Sequence, residues 1–483
     1  MTDNVQLSIG GADADASAGA TFERRNPVTG EVATTAAAAT PADAVAAVEA
    51  AAAAFPAWAA TGPGERRRLL LAAADRLQAL SPDFAAATVA ETGAPAHWAK
   101  FNIGLGASLL REAASLTTQV RGETIPSDVP GSLAMAVRQP AGVVLGMAPW
   151  NAPIILGVRA LATPLAVGNT VVFKASEKCP RIHRLIVDAL LAAGLPDGVV
   201  NFVSHAADDA PAVVEAMIGH PAVRRVNFTG STAVGRVIGR LCGEHLTPSV
   251  LELGGKAPLV VLDDADVDAA VDAAAFGAFA NSGQICMSTE RIVVDEAVAE
   301  EFVAKLADKA GGLPTGDPSG HVVLGSVIDR DTVERCNELL DDAVAQGARV
   351  AVGGRADSTL MAPTLVADVT AEMRIWREES FGPVKSIMTV AGVDAAVAAA
   401  NDTDYGLSAA VFGRDTARAL EVAGRIESGI CHVNGPTVHD EAQMPFGGVK
   451  ASGWGRFGGL AGVHEFTDLR WITVQEGPRH YPF

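Results

Sequence analysis

The sequence is poor in aromatic side chains and in charge. Phe, Trp and Tyr make up 5% of 483 residues, with only 2 tyrosines, and charged residues make up 19%. Apolar residues nevertheless reach 49%, which excludes a disordered chain, because disorder requires low hydrophobicity. Basic residues are in deficit: 37 Lys and Arg face 56 Asp and Glu, a formal charge of −19. A chain this acidic repels nucleic acid and anionic membrane, and it has no compact basic patch. Cys179, Cys242, Cys286, Cys336 and Cys431 form no CxxC pair and no dense even-numbered framework, so reduced thiols are expected. No metal is expected. The opening Met1-Thr2-Asp3-Asn4-Val5-Gln6 lacks the basic and apolar regions of a leader. The most apolar stretch, Ala141 to Phe173, is broken by Asn151, Arg159, Pro164 and Asn169 and does not span a bilayer. The expectation is a soluble, cytoplasmic protein of two to three domains.

After a loose beginning, the first third reads as helical. Thr40-Pro41-Ala42-Asp43 resembles a capping box opening an Ala-rich helix that Pro56 is expected to stop. Ser81-Pro82-Asp83-Phe84 starts another, which Thr92-Gly93 ends. From Val137 the texture changes. Residues 141–148, 170–174, 199–203, 223–229 and 259–262 read as buried strands, with helical segments at 180–193 and 231–242 between them. A second series begins near Val267, with strands at 292–294, 385–390 and 429–433. Strands alternating with helices imply parallel, doubly wound sheets, and two α/β domains.

The strongest chemical signal is Gln284-Ile285-Cys286 after Asn281-Ser282-Gly283, with Glu252-Leu253-Gly254-Gly255-Lys256 upstream. A lone Cys in an apolar segment is ordinarily a small core residue. Here Gly and polar residues flank it, in a segment able to start a helix whose dipole favours a thiolate. Glu252, taken alone, reads as a solvated carboxylate at a strand end. A nucleophilic thiol and a carboxylate that activates water make a two-step machine, although spacing alone does not bring them together.

Further segments follow in order: Pro149-Trp150-Asn151, Lys174-Ala175-Ser176-Glu177, Phe228-Thr229-Gly230-Ser231, Glu378-Glu379-Ser380-Phe381-Gly382-Pro383 and Pro445-Phe446-Gly447-Gly448. With Glu252 and Cys286 they resemble the NAD(P)-dependent aldehyde dehydrogenase superfamily, over essentially the whole chain. The resemblance implies an aldehyde dehydrogenase-like α/β fold. It has a Rossmann-type cofactor domain (1–117 and 141–252), a catalytic domain (253–464) and an oligomerisation element (118–140 and 465–483). The tail Leu469–Val474 reads as a strand without a partner in the sequential series, which fits pairing with a neighbouring subunit of a homodimer or homotetramer.

By the same resemblance, Cys286 attacks the aldehyde to give a thiohemiacetal, with the oxyanion held by the Asn151 amide and the Cys286 backbone N–H. Hydride passes to nicotinamide, and Glu252 deprotonates the water that releases the acid from the thioester. Asn434 has a supporting role. Gly230, Ser231 and Gly235 lie where a strand opens into a helix, a place for a phosphate, though this is not the usual G-x-G-x-x-G. Trp150 belongs to the cofactor site, Lys174 and Glu177 hold the adenosine ribose, Glu379 takes the nicotinamide ribose and Phe381 packs near the nicotinamide ring. Ala175 stands where the family often has Pro, leaving both ribose ligands intact. NAD is expected, with NADP weaker.

Two regions, His432 to Met444 and Pro149 to Arg159, are most similar to the bacterial aromatic aldehyde dehydrogenases, the vanillin, salicylaldehyde and benzaldehyde group. In that group Arg159 and Trp98 match positions lining the substrate pocket. A guanidinium can bind a ring hydroxyl, and an indole can stack on the ring. The bland alternatives are a structural cation displaced by one from Ala160 and a core tryptophan. The expected activity is NAD-dependent oxidation of an aromatic aldehyde, vanillin or a related hydroxybenzaldehyde first. Salicylaldehyde, benzaldehyde and general or semialdehyde dehydrogenases are the alternatives within the fold. A CoA-acylating enzyme has no need of Glu252 as a base, a cysteine hydrolase would use the thiol without NAD, and a silent structural protein would not need the Cys–Glu pair.

Overall fold

The protein, here a computed structural model, is described over residues 3–483. Met1 and Thr2, the start of the segment read for a leader, lie outside the described residues. The first sheet has eight strands, in the order Gly453–Trp454, Ser249–Glu252, Val223–Thr229, Val143–Met147, Thr170–Lys174, Val200–Val203, Leu7–Ile9 and Ala12–Ala14. The five from Ser249–Glu252 to Val200–Val203 are parallel. Val143–Met147 comes first among them in sequence. The chain winds outward from it on one side and then returns to wind outward on the other, so strand order reverses beside it. That reversal opens a crevice at the strands' carboxyl ends, where open α/β sheets bind ligands.

The second sheet runs Arg349–Val352, Thr364–Ala367, Val384–Val390, Thr289–Asp295, Ala257–Val261, Ser408–Phe412 and Ile430–Val433. It is parallel except for its antiparallel first pair. Thr289–Asp295 is buried at every position, so it shows no alternation, and only its apolar centre, 292–294, reads as a strand from sequence.

Two helices, one buried throughout and one buried along a single face, position the substrate side. All residues of Pro153–Ala166, which carries Arg159, are buried. It packs on Ala96–Leu116, which carries Trp98. Gly106 permits that approach: a Cβ there would stand 3.2 Å from Ile154 Cγ2.

Several expectations are corrected. The beginning is not loose: Asp3–Val5, Leu7–Ile9, Ala12–Ala14, Thr21–Arg25 and Val32–Ala37 are all strands. They are short, and their pairing is with one another and with Val200–Val203, a long-range choice that local sequence does not encode. Pro56 does not stop the first helix, which runs Pro41–Ala60. The missing proline N–H removes one intrahelical bond, while buried Trp58 anchors the turn beyond it. The capping box is formed, with the Asp43 carboxylate accepting from the Thr40 N–H at 2.8 Å. Gly93 caps Ser81–Thr92 at φ 69°. The tail strand, Thr467–Gln475, finds its partner in its own chain, antiparallel to Ser132–Pro140 along nine registered pairs. With Glu123–Ile125 these form a separate three-stranded sheet. No single helix among the described residues is long and apolar enough to cross a membrane, and all five cysteines are free.

Candidate active site

Cys286 stands in a turn between the short 3-10 helix Ala280–Gly283 and the strand Thr289–Asp295. The expected helix start is therefore absent, and no helix dipole supports a thiolate. Burial first, then the nearby Glu252 and Glu379, push its thiol up to about 12. The turn is strained: Asn281 and Ser282 take left-handed φ values of 49° and 55° before Gly283 at 73°. Non-glycine residues there cost on the order of 1–3 kcal/mol each, and such geometry persists only when the surroundings over-determine it. Here the Asn281 amide donates to the Asn151 carbonyl at 2.9 Å. The Gln284 amide donates to the Asn281 carbonyl at 3.1 Å. The Ile328 N–H donates to Gln284 Oε1 at 2.8 Å.

Asn151, just beyond the first strand of the switch-point crevice, donates its amide to the Gln284 carbonyl at 3.0 Å. It is thereby tied to the chain two residues before the nucleophile, and it retains a second amide proton. The Trp98 indole donates to the Asn151 carbonyl at 2.9 Å. Gly255, in the motif that carries Glu252, lies against the Cys286 carbonyl; a Cβ there would stand 2.3 Å from that oxygen.

Glu252 ends the strand Ser249–Glu252 and is 2% exposed, not solvated. Neither carboxylate oxygen has a hydrogen-bond partner among the described residues. Burial raises its carboxyl well above the ordinary value; Arg159 and Arg456 oppose this, and Asp440 adds to it. The Pro-Phe-Gly-Gly motif supplies the room it occupies, since a Cβ at Gly447 would stand 2.6 Å from Glu252 Oε1. Asn434, just after Ile430–Val433, is tied instead to Gly413 by two hydrogen bonds of 3.0 Å, and so holds the backbone turn that follows Ser408–Phe412.

Two cavities meet at Cys286. One, of about 770 Å³, is lined by Trp150, Asn151, Gly230, Ser231, Glu252, Glu379 and Phe381 among others. The Trp150 and Phe381 rings meet edge to face, with centroids 5.7 Å apart. Ser231 caps the helix Thr232–Glu244, accepting from the Val234 N–H at 3.3 Å, so the helix opens toward the crevice with its unpaired N–H groups. Gly230 and Gly235 are needed for packing: a Cβ at either would stand 2.4 Å from the Phe228 ring or 2.3 Å from Leu253. Glu379 accepts from the Gly255 N–H at 3.0 Å, and burial raises its carboxyl to about 7. Its loop is held by buried Glu290, which accepts from the Ser380 N–H at 3.0 Å and from Lys256 and Lys385 at 2.7 and 2.5 Å. The size, the helix N-terminus and the polar groups at both ends fit a dinucleotide. Lys174, Glu177 and Gly235 lie outside this lining. Lys174 ends its strand beside Met147, and Lys178 is paired with Asp329 at 2.5 Å.

The second cavity, of about 710 Å³, is lined by Trp98, Phe101, Phe276, Phe279, Phe446, Arg159 and Asp440 among others. Trp98 stacks on Phe101 with centroids 5.3 Å apart. Arg159 lies 4.3 Å over the Phe446 ring and donates to Asp440 Oδ2 at 2.5 Å. Both side chains are buried, at 5% and 9% exposure. Arg159 thus lines the pocket and is also braced by the scaffold. Sequence reasoning did not single out Asp440, Asn281, Gln284 or Glu290. Asp440 and the Asn281–Gln284 run stand inside segments that carry the resemblance, but only the fold reveals their partners.

A family model for the aldehyde dehydrogenase family matches residues 14–472. A vanillin dehydrogenase of Pseudomonas fluorescens is 62% identical over 480 residues, covering 99% of each chain. A benzaldehyde dehydrogenase [NAD(+)] of Pseudomonas putida is 38% identical, covering 95% of this chain and 94% of its own. The crystal structure of a salicylaldehyde dehydrogenase from Pseudomonas putida G7, complexed with salicylaldehyde, superposes with a TM-score of 0.98 at 48% identity, covering 100% of both chains. Sequence, fold and the meeting of two cavities at one cysteine agree: this chain belongs to the aldehyde dehydrogenase family.

Proposed function

We propose that the protein oxidises aromatic aldehydes to carboxylic acids with NAD, with vanillin and related hydroxybenzaldehydes preferred. The observation that carries this reading is the 710 Å³ pocket, walled by aromatic rings, holding one buried guanidinium and opening on Cys286. The names of the vanillin, salicylaldehyde and benzaldehyde dehydrogenases it resembles support the same class.

Cys286 attacks the carbonyl carbon as the thiolate, after its thiol proton has passed to solvent, and the Asn151 amide with the Cys286 backbone N–H stabilises the oxyanion of the thiohemiacetal. NAD, when bound, accepts the hydride whose loss turns that adduct into a thioester. Trp150, Gly230, Ser231, Glu379 and Phe381 hold it along the cleft, and Lys174 and Glu177 hold its adenosine ribose. Glu252, once ionised, takes a proton from the water that attacks the thioester; its free oxygens have no competing partner.

Glu177 meets the 2′-phosphate of NADP as a like charge unless Lys174 or Lys178 swings in to offset it, and Lys178 is already paired with Asp329. NAD preference follows. The labour is divided as residues 1–117 and 141–252 for the cofactor, 253–464 for catalysis, and 118–140 with 465–483 for oligomerisation; Gly453–Trp454, which joins the first sheet, is the exception to a division by sheet. Exposed Trp471, Leu469, Val474, Leu133 and Ile125 on the small sheet support a homodimer or homotetramer. Five free cysteines fit a cytoplasmic enzyme.

The test is a screen of purified enzyme against vanillin, salicylaldehyde, benzaldehyde and aliphatic aldehydes, with NAD and with NADP, followed by NADH or NADPH absorbance. Higher kcat/KM for the aromatic set with NAD is expected. Preference for short aliphatic aldehydes overturns the substrate class, and preference for NADP overturns the placement of Glu177.

A further inference from the structure

The aldehyde pocket contains charge, but almost none of it is uncompensated. Arg159 is paired with Asp440 inside it. At its rim Lys309 is paired with Asp272. His439 is hydrogen-bonded to Glu441 at 3.0 Å, and burial holds His97 below its ordinary value, which favours the neutral ring. The Arg159 and Asp440 side chains are both largely buried, and the Arg159 guanidinium is stacked on Phe446. In such surroundings an unpaired charge is expensive and a paired one is quiet.

We infer that Asp440 is a specificity-determining residue: by neutralising Arg159 it makes the pocket select uncharged aldehydes and refuse aldehydes that carry a carboxylate. An uncompensated guanidinium in an apolar pocket would be a carboxylate receptor, because planar bidentate pairing with an anion is what that group does best. Asp440 takes that place with one oxygen. Its other oxygen, also buried, accepts no hydrogen bond among the described residues, so the pair offers an acceptor as well as the remaining guanidinium N–H donors. A neutral ring hydroxyl, at once donor and acceptor, matches both, whereas an incoming carboxylate meets Asp440 as a like charge and has no proton to give.

This inference rests on the aromatic-aldehyde reading, and unsubstituted benzaldehyde separates the two. Failure of the wild-type enzyme to oxidise benzaldehyde would sink that reading itself. The inference is read from kcat/KM for meta-carboxybenzaldehyde divided by kcat/KM for benzaldehyde. Asp440→Asn, which keeps the side-chain shape, should raise this ratio by about tenfold or more. Arg159→Gln leaves Asp440 as a lone anion and should lower the ratio by a similar factor, so the opposite sign is readable even if one variant does not fold. The double variant Arg159→Gln with Asp440→Asn should return the ratio to near the wild-type value. A purely structural pair would change stability and depress both substrates equally. An unchanged ratio in the folded single variants overturns the inference.

Discussion

The indole N–H of Trp98 donates to the backbone carbonyl of Asn151 at 2.9 Å, and that same carbonyl accepts from the Asn281 amide at 2.9 Å. The ring that walls the aldehyde pocket is therefore fastened to the residue proposed to hold the oxyanion, and through it to the strained turn before Cys286. Trp98→Ala should lower kcat/KM for vanillin, salicylaldehyde and benzaldehyde alike, by about tenfold, because it removes ring contact common to all three. Trp98→Phe keeps a ring and loses the N–H, so its loss should be smaller and lie mainly in kcat. Equal activity of Trp98→Ala and wild type on all three aldehydes would remove Trp98 from the pocket.

Arg159→Leu should act on two readouts. Asp440 is left buried without its partner, so thermal stability should fall, by about 3–5 kcal/mol if nothing relaxes. Separately, kcat/KM for vanillin and salicylaldehyde should drop about tenfold to a hundredfold more than for benzaldehyde, since a charge-assisted bond to the hydroxyl contributes about 1.5–3 kcal/mol. Changing both Arg159 and Asp440 to Leu should recover stability but not the hydroxyl preference. Uniform loss on all three substrates would return Arg159 to a scaffold role.

The thiol of Cys286, pushed up to about 12 by burial and by Glu252 and Glu379, rests protonated. Because its pKa is raised, the reactive anion grows with pH, tenfold per unit, until pH reaches the raised value. Alkylation of the cofactor-free enzyme by iodoacetamide at Cys286 should therefore accelerate from pH 7 to pH 9 without a plateau, roughly in that proportion. A plateau below pH 8 would show a thiolate already formed at rest, and would require a cation that the turn does not provide.

Much of this was legible in the chain, for reasons that differ by region. Thr170–Lys174 and Val223–Thr229 have the bounds read from sequence; the first is a buried parallel strand that reads as an apolar run flanked by turn residues, whereas the second carries Arg224, Arg225 and Asn227 and is marked by the turn residues that follow it. Gly93 ended its helix as expected, because the left-handed cap favours glycine. The opening strands were not legible: Ser8 pairs with Phe202, and no local pattern of three residues announces so distant a partner. The site divides in the same way. Glu252 and Cys286 stand in recognisable motifs, but the burial of Glu252 depends on Gly447, nearly two hundred residues later. Arg159 was identifiable as a candidate for the pocket, while its pairing with Asp440 across the fold was not, and the turn of Cys286 was misread as a helix start. Contacts between distant segments set charge states, and a linear pattern carries no record of them.

The most direct measurement is a single-turnover experiment on Glu252→Gln with vanillin and NAD. The variant retains the thiol and the oxyanion donors but cannot take a proton from water, so acylation should proceed and deacylation should stall. An NADH burst of about one per active site, then turnover slower by orders of magnitude, is expected, with the vanilloyl group found on Cys286 in the intact-protein mass. Turnover at the wild-type rate would show that another group activates the water, and absence of both burst and acylation in a folded variant would contradict the division of labour between Cys286 and Glu252.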